Sequence, residues 1–78
     1  MSIERDLLEY IGKQLARAGV VIEAETNLAT AIDSTAMMEL VVWIGDHYGF
    51  EVEIDDITPD HFGSVKKLTE YIESKKRG

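Results

Sequence analysis

The chain has 78 residues, a formal net charge of -7, 45% hydrophobic and 29% charged residues, one proline and no cysteine. A domain this short buries only about 60% of the surface its unfolded chain exposes, which excludes a large enzyme with an enclosed catalytic cavity. Lacking cysteine, it has no disulfides, thiolate nucleophiles or cysteine-ligated zinc. The charge is unevenly placed: residues 18–65 hold ten Asp and Glu and no Lys or Arg, a stretch that repels phosphate backbones and anionic lipid and attracts basic protein surfaces, so neither nucleic acid nor membrane is expected as a partner.

Charges at Glu4, Asp6 and Glu9 interrupt any apolar leader, and no run approaches the ~20 apolar residues of a membrane span, so a soluble, cytoplasmic protein is expected. Ser2 caps a first helix over residues 3–18, with Ile3, Leu7, Leu8, Ile11 and Leu15 at helical spacing and Gly19 as the stop. Residues 19–33 show no sustained period but carry Val20, Val21, Ile22, Leu28 and Ile32, and are expected to form a long loop that packs down.

Asp33 and Ser34 are capping residues before a second helix through Tyr48. Met37, Leu40, Val41, Ile44 and Tyr48 fall on one core stripe, opposite Glu39 and Asp46. Met38 and Val42 sit on a shoulder beside the acidic side, a surplus that one buried face does not explain. Trp43, on the other shoulder, is expected to pack against the long loop. Gly49 ends the helix. Phe50, Val52 and Ile54 then alternate with acidic residues, but with no second strand to pair they read as an extended segment whose apolar residues plug the core. Thr58-Pro59 opens a short helix through Phe62, and Ser64 caps a last one with Val65, Leu68 and Ile72 inward. The expected fold is all-α: a single domain over 1–78, a small four-helix bundle of three longer helices and one short one, with a long loop between helices one and two.

Little in the chain suggests catalysis. His47 and His61 have no companions at metal-ligand spacing, the run from Glu51 to Asp60 lacks the start of an EF-hand loop, and the glycines are scattered. No catalytic or metal site is expected. Asp33-Ser34 is an ordinary N-cap on its own, yet a phosphate on Ser34 would lie near unpaired backbone N–H groups at the positive end of the helix dipole.

The pattern Ala31-Ile32-Asp33-Ser34-Thr35, Met38-Glu39-Leu40-Val41, Tyr48-Gly49-Phe50-Glu51-Val52, Ile57-Thr58-Pro59-Asp60-His61-Phe62 and Ser64-Val65 resembles the acyl and peptidyl carrier protein family, in order through nearly the whole chain. The resemblance implies a non-catalytic monomer in which Ser34 receives 4'-phosphopantetheine from coenzyme A through a phosphopantetheinyl transferase. The arm's thiol would hold an acyl or aminoacyl group as a thioester, and Asp33 would help position magnesium and the phosphate during transfer. An imported thiol would also account for the missing cysteine. The partner surface implied is Thr35, Met38, Glu39, Val42 and Asp46, with Asp55 and Asp56 as outer charges, facing the transferase, an acyl-loading enzyme (acyltransferase or adenylating ligase) and downstream biosynthetic enzymes.

Thr35 stands where the family usually has Leu, Ala31 where Gly is common, Glu53 where proline is frequent, and Ala36 and Met37 where fatty-acid carriers are polar. These departures point to a stand-alone specialised carrier, of polyketide-like or aminoacyl type, rather than a general fatty-acid one. Met37, Val41, Ile44, Ile54, Phe62 and Leu68 are expected in the core, Met37 as packing filler. Two readings of other classes remain open on the residues alone: an acidic helical adaptor docking partners through Met38 and Val42 without a prosthetic group, and a regulatory protein switched by phosphorylation of Ser34.

Overall fold

The computed structural model describes residues 2–77. Ser2 opens α1 (Ile3–Tyr10): its backbone is extended and its hydroxyl accepts the Arg5 N–H at 3.1 Å, while Glu4 and Asp6 face the positive end of the dipole. α1 runs into a π turn at Ile11–Leu15, closed by the Ala16 N–H on the Ile11 carbonyl at 2.8 Å. The helical segment therefore stops before residue 18. Ala16 is already extended, and the Arg17 N–H is taken by the Ala31 carbonyl at 3.2 Å, a contact from across the long connection. Gly19, at φ 83°, serves the turn that follows, which the Val20 N–H closes on the Arg17 carbonyl at 3.0 Å.

The connection packs down as expected but is not a plain loop. Asn27 caps a single-turn helix, α2 (Leu28–Ala31), its side chain accepting the Ala29 N–H at 2.9 Å. Four residues are too few to show a period in sequence. Leu28 is fully buried, and its N–H bonds the Gly63 carbonyl at 3.0 Å; a second tie joins the Lys66 N–H to the Ala24 carbonyl at 2.9 Å. The loop is thus fastened at two points to the far end of the chain.

α3 (Ser34–Tyr48) contributes Leu40 and Ile44, both fully buried, with Met37, Val41 and Tyr48 half-buried beside them. Gly49 ends it in the left-handed conformation, φ 75°, its N–H on the Gly45 carbonyl at 3.0 Å. A 3-10 turn at Ile54–Asp56 leads to α4 (Pro59–Phe62), with proline at the first helical position, and then to α5 (Val65–Arg77). Ser64 Oγ accepts the Lys67 N–H at 3.2 Å, the expected cap. Phe50 and Val52 pack against the core from an extended segment that pairs with no strand among the described residues, but Ile54 does not follow them. It begins the 3-10 turn, which carries its side chain outward to 84% exposure, so the expectation of a core residue fails there.

Leu7 and Ile11 from the first helix, Leu28 from α2, Leu40 and Ile44 from α3, and Val65, Leu68 and Ile72 from α5 meet in one apolar core. α1 and α4 both pack on α5. The expected all-helical bundle is correct, with α2 as an additional turn. Among the described residues, no helix is long and apolar enough to cross a membrane.

Gly63 is where α4 and α5 meet, and a Cβ there would overlap the Pro59 carbonyl oxygen. Gly63→Ala is expected to destabilise by about 1–3 kcal/mol, because the backbone must shift and the Leu28 N–H to Gly63 carbonyl bond shifts with it. A urea-unfolding midpoint equal to that of the unsubstituted protein would refute this close packing.

Candidate functional site

The start of α3 is positioned by what precedes it. Ala31 and Ile32 are each 2% exposed and pin the chain, after which Asp33 adopts an extended backbone and turns outward. Asp33 alone provides the cap: Oδ1 accepts the Ala36 N–H at 2.8 Å and its carbonyl accepts the Met37 N–H at 2.9 Å. Ser34 is the first residue of the helix proper, exposed, with its hydroxyl in no hydrogen bond among the described residues. The amides of Ser34 and Thr35 likewise have no acceptor within the described chain. An exposed hydroxyl, two free N–H donors and the positive end of a 15-residue helix suit a phosphodiester, whose single negative charge these groups would stabilise.

Thr35, Met38, Glu39, Val42 and Asp46 share the exposed side of α3 below that serine, Met38 at 55% and Val42 at 61% exposure. With Tyr10 and Trp43 they line an open groove of about 490 Å³ between α1 and α3. Trp43 packs among aromatic rings of α1 and α3. Its indole stacks between the Tyr10 ring at 4.2 Å and the His47 ring at 4.5 Å, both nearly parallel, and meets Tyr48 edge-on at 5.8 Å. The Tyr10 partner lies 33 positions away, so helical periodicity alone could not have found it. Burial, with a smaller push from Asp6, raises the Tyr48 hydroxyl to about 12.

The segment after α3 divides the two expected outer charges. Asp55 is exposed, whereas Asp56 turns inward: the Tyr71 hydroxyl donates to its Oδ2 at 2.8 Å and Lys75 Nζ lies 3.6 Å from the same oxygen. Asp56 is therefore a fastening of the 3-10 turn to α5, not a free surface charge, and the exposed neighbour that sequence reasoning missed is Ile54. Its signal was present in the aspartates that follow it, which favour a turn over a continued strand.

The Tyr71 hydrogen bond holds the Asp56 carboxyl below the usual carboxylate range; partial burial opposes this, and Lys75 and His61 add to the lowering. A carboxyl lowered in the folded state stabilises it fully above the unfolded value of about 3.9, and that stabilisation is lost as pH falls through the folded value. Tyr71→Phe is therefore expected to be less stable than the unsubstituted protein at pH 7, with the gap narrowing below about pH 4. Urea unfolding of both at the two pH values checks it, and a gap independent of pH would show that the bond contributes nothing through Asp56.

Met37, half-buried, lines a smaller cavity of about 240 Å³ with Ala29, Ile57, Pro59 and Phe62. His47 is exposed, and His61 is half-buried with its ring 4.8 Å from that of Tyr71.

A profile of the phosphopantetheine attachment site family matches residues 5–72, from the first turn of α1 to the buried Ile72 of α5. The chain belongs to that family. The carrier fold expected from the residue pattern and the helical architecture agree with the match, and the family bears a covalently attached 4'-phosphopantetheine. Such carrier domains are in general non-catalytic and work with phosphopantetheinyl transferases and biosynthetic enzymes. Comparison with curated proteins gives no significant match.

Proposed function

We propose that this carrier holds acyl or aminoacyl intermediates as thioesters on a 4'-phosphopantetheine joined to Ser34. The observation that supports Ser34 is its place as the exposed first residue of α3, with its hydroxyl and two adjacent amides free among the described residues and Asp33 already supplying the cap. In the transfer, Ser34 Oγ attacks the phosphorus next to pantetheine in coenzyme A. The new Oγ–P bond replaces the pyrophosphate P–O bond, adenosine 3',5'-bisphosphate leaves, and the hydroxyl proton passes to a base of the transferase. The second carboxylate oxygen of Asp33 is available to a magnesium ion brought with coenzyme A. Once attached, the arm supplies a thiol that exchanges acyl groups as thioesters.

Partner enzymes meet the exposed side of α3: Glu39 and Asp46, with Asp55 beyond them, steer basic surfaces, and Met38, Val42 and Ile54 provide the small apolar contact. An interface this small gives weak, short-lived complexes, which a shuttle requires. The low acidity of the first turn of α3, with Thr35, Ala36 and Met37 in place of charges, supports a dedicated carrier loaded by an adenylating ligase rather than by a general malonyl transferase.

Incubation with coenzyme A, magnesium and a broad-specificity phosphopantetheinyl transferase, read by intact mass and peptide fragmentation, tests the attachment. A gain of one phosphopantetheinyl group on Ser34 is expected. No gain by folded protein with an active transferase, or a gain on another hydroxyl such as Thr35, would overturn it.

A further inference from the structure

We infer that the groove between α1 and α3 is a surface cradle for the cargo, and that the cargo it fits is an aminoacyl group with an apolar side chain, aromatic above all, and a free ammonium. This rests on the attachment at Ser34. Thr35 begins the groove next to that serine, and Asp46 ends it 12 residues beyond Ser34, roughly 18 Å along the helix axis at about 1.5 Å per residue. A pantetheine arm, two amide-linked units and a cysteamine, extends roughly 15–18 Å by ordinary chain dimensions. An extended arm laid along α3 therefore brings its thiol to the Asp46 end of the groove, from which the cargo folds back onto Val42 and Trp43.

The lining selects the chemistry. Met38, Val42 and the rings of Tyr10 and Trp43 make the floor apolar; Glu39 and Asp46 are its charged groups, and no Lys or Arg lines it. A thioester of a simple fatty acid would use the floor and make no polar contact with the carboxylates that otherwise steer partners, and one ending in a carboxylate would be repelled. An aminoacyl thioester uses both the floor and the charge, with its ammonium toward Asp46 and its side chain on the floor. Both faces of the Trp43 indole are already covered by Tyr10 and His47, so the ring has only its edge to offer. An aromatic edge takes the face of another ring, the T-shaped geometry, which favours a phenyl or larger aromatic side chain over an aliphatic one. The cavity at Met37 offers no such match: it is half the volume and lined by no charged residue, so an ammonium there would be unpaired.

The test uses the intact protein carrying phenylalanyl-pantetheine through a hydrolysis-resistant amide, installed by a phosphopantetheinyl transferase and verified by mass. The readout is the indole N–H resonance of Trp43, the single tryptophan. Relative to the unloaded arm, the phenylalanyl form is expected to shift that resonance together with the Met38 and Val42 signals. N-acetylating the cargo should reduce the docked population by roughly two- to fivefold, the range for an exposed ion pair. Val42→Asp, at a position exposed enough to leave the fold intact, should abolish the shift. Verified loading with no change at Trp43, or with changes confined to Met37 and Phe62, would overturn the cradle and leave the attachment standing. Failure of the mass gain itself would overturn the attachment and the cradle together.

Discussion

Ser34→Ala is expected to take up no phosphopantetheine while folding as well as the unsubstituted protein. The two halves of this result have separate causes. Uptake is lost because the substitution removes the oxygen that forms the phosphodiester, and the neighbouring Thr35, one residue further into the helix, presents its hydroxyl about 100° around the axis. Stability is preserved because the helix cap is the Asp33 carboxylate on the Ala36 N–H, and the Ser34 hydroxyl makes no hydrogen bond among the described residues that alanine would forfeit. A change within about 0.5 kcal/mol is expected, as for substitutions away from buried or capping groups. Intact mass after transferase treatment and a urea-unfolding curve check the pair. Uptake by the alanine variant would move the attachment elsewhere; a loss of more than about 1 kcal/mol would assign a capping role to Ser34.

Leu40→Ala should have the opposite profile: a large loss of stability with the attachment chemistry left in place. Leu40 is fully buried on α3 and shares the core with Leu28, Phe62 and Leu68. Removing a buried leucine costs about 2–5 kcal/mol, from lost apolar transfer and the cavity left behind. A domain of this size has roughly 4–12 kcal/mol in all, at about 0.05–0.15 kcal/mol per residue. The variant should therefore unfold at a markedly lower urea concentration, and a fraction of it should be unfolded without denaturant. Ile44→Val, one methylene smaller at a site equally buried, should cost about 0.5–1.5 kcal/mol. Equal effects from the two would mean that the α3 core face repacks freely.

What the sequence made legible was local. The caps at Ser2, Asp33 and Ser64, the proline at the start of α4, the left-handed Gly49 and the buried spacing of Leu7, Ile11, Leu40, Ile44, Leu68 and Ile72 all follow from residues a few positions apart. So did the exposed shoulder of Met38 and Val42, found as apolar residues that no single buried face could absorb. What stayed illegible depends on contacts distant in sequence. The early exit from the first helix answers to Ala31, the fate of Trp43 to Tyr10, and the inward turn of Asp56 to Tyr71, 15 residues on. Ile54 was missed for a related reason: alternation assumes a continued extended backbone, and the 3-10 turn breaks it one residue before the pattern ends. α2 is simply shorter than the period that would announce it.

The π turn at Ile11–Leu15 bears on how the first helix tolerates a change of length. Its ring closes on the fifth residue instead of the fourth, so the segment holds one residue more than an α-helical turn would in the same place. The surplus lies among Gly12, Lys13 and Gln14, all exposed, while Ile11 and Leu15 stay in the core. Dropping any one of the three leaves the two core residues three apart, still on one helical face. Removing one of the three would thus restore a regular α-helical turn without displacing anything buried, so the extra residue adds exposed surface alone.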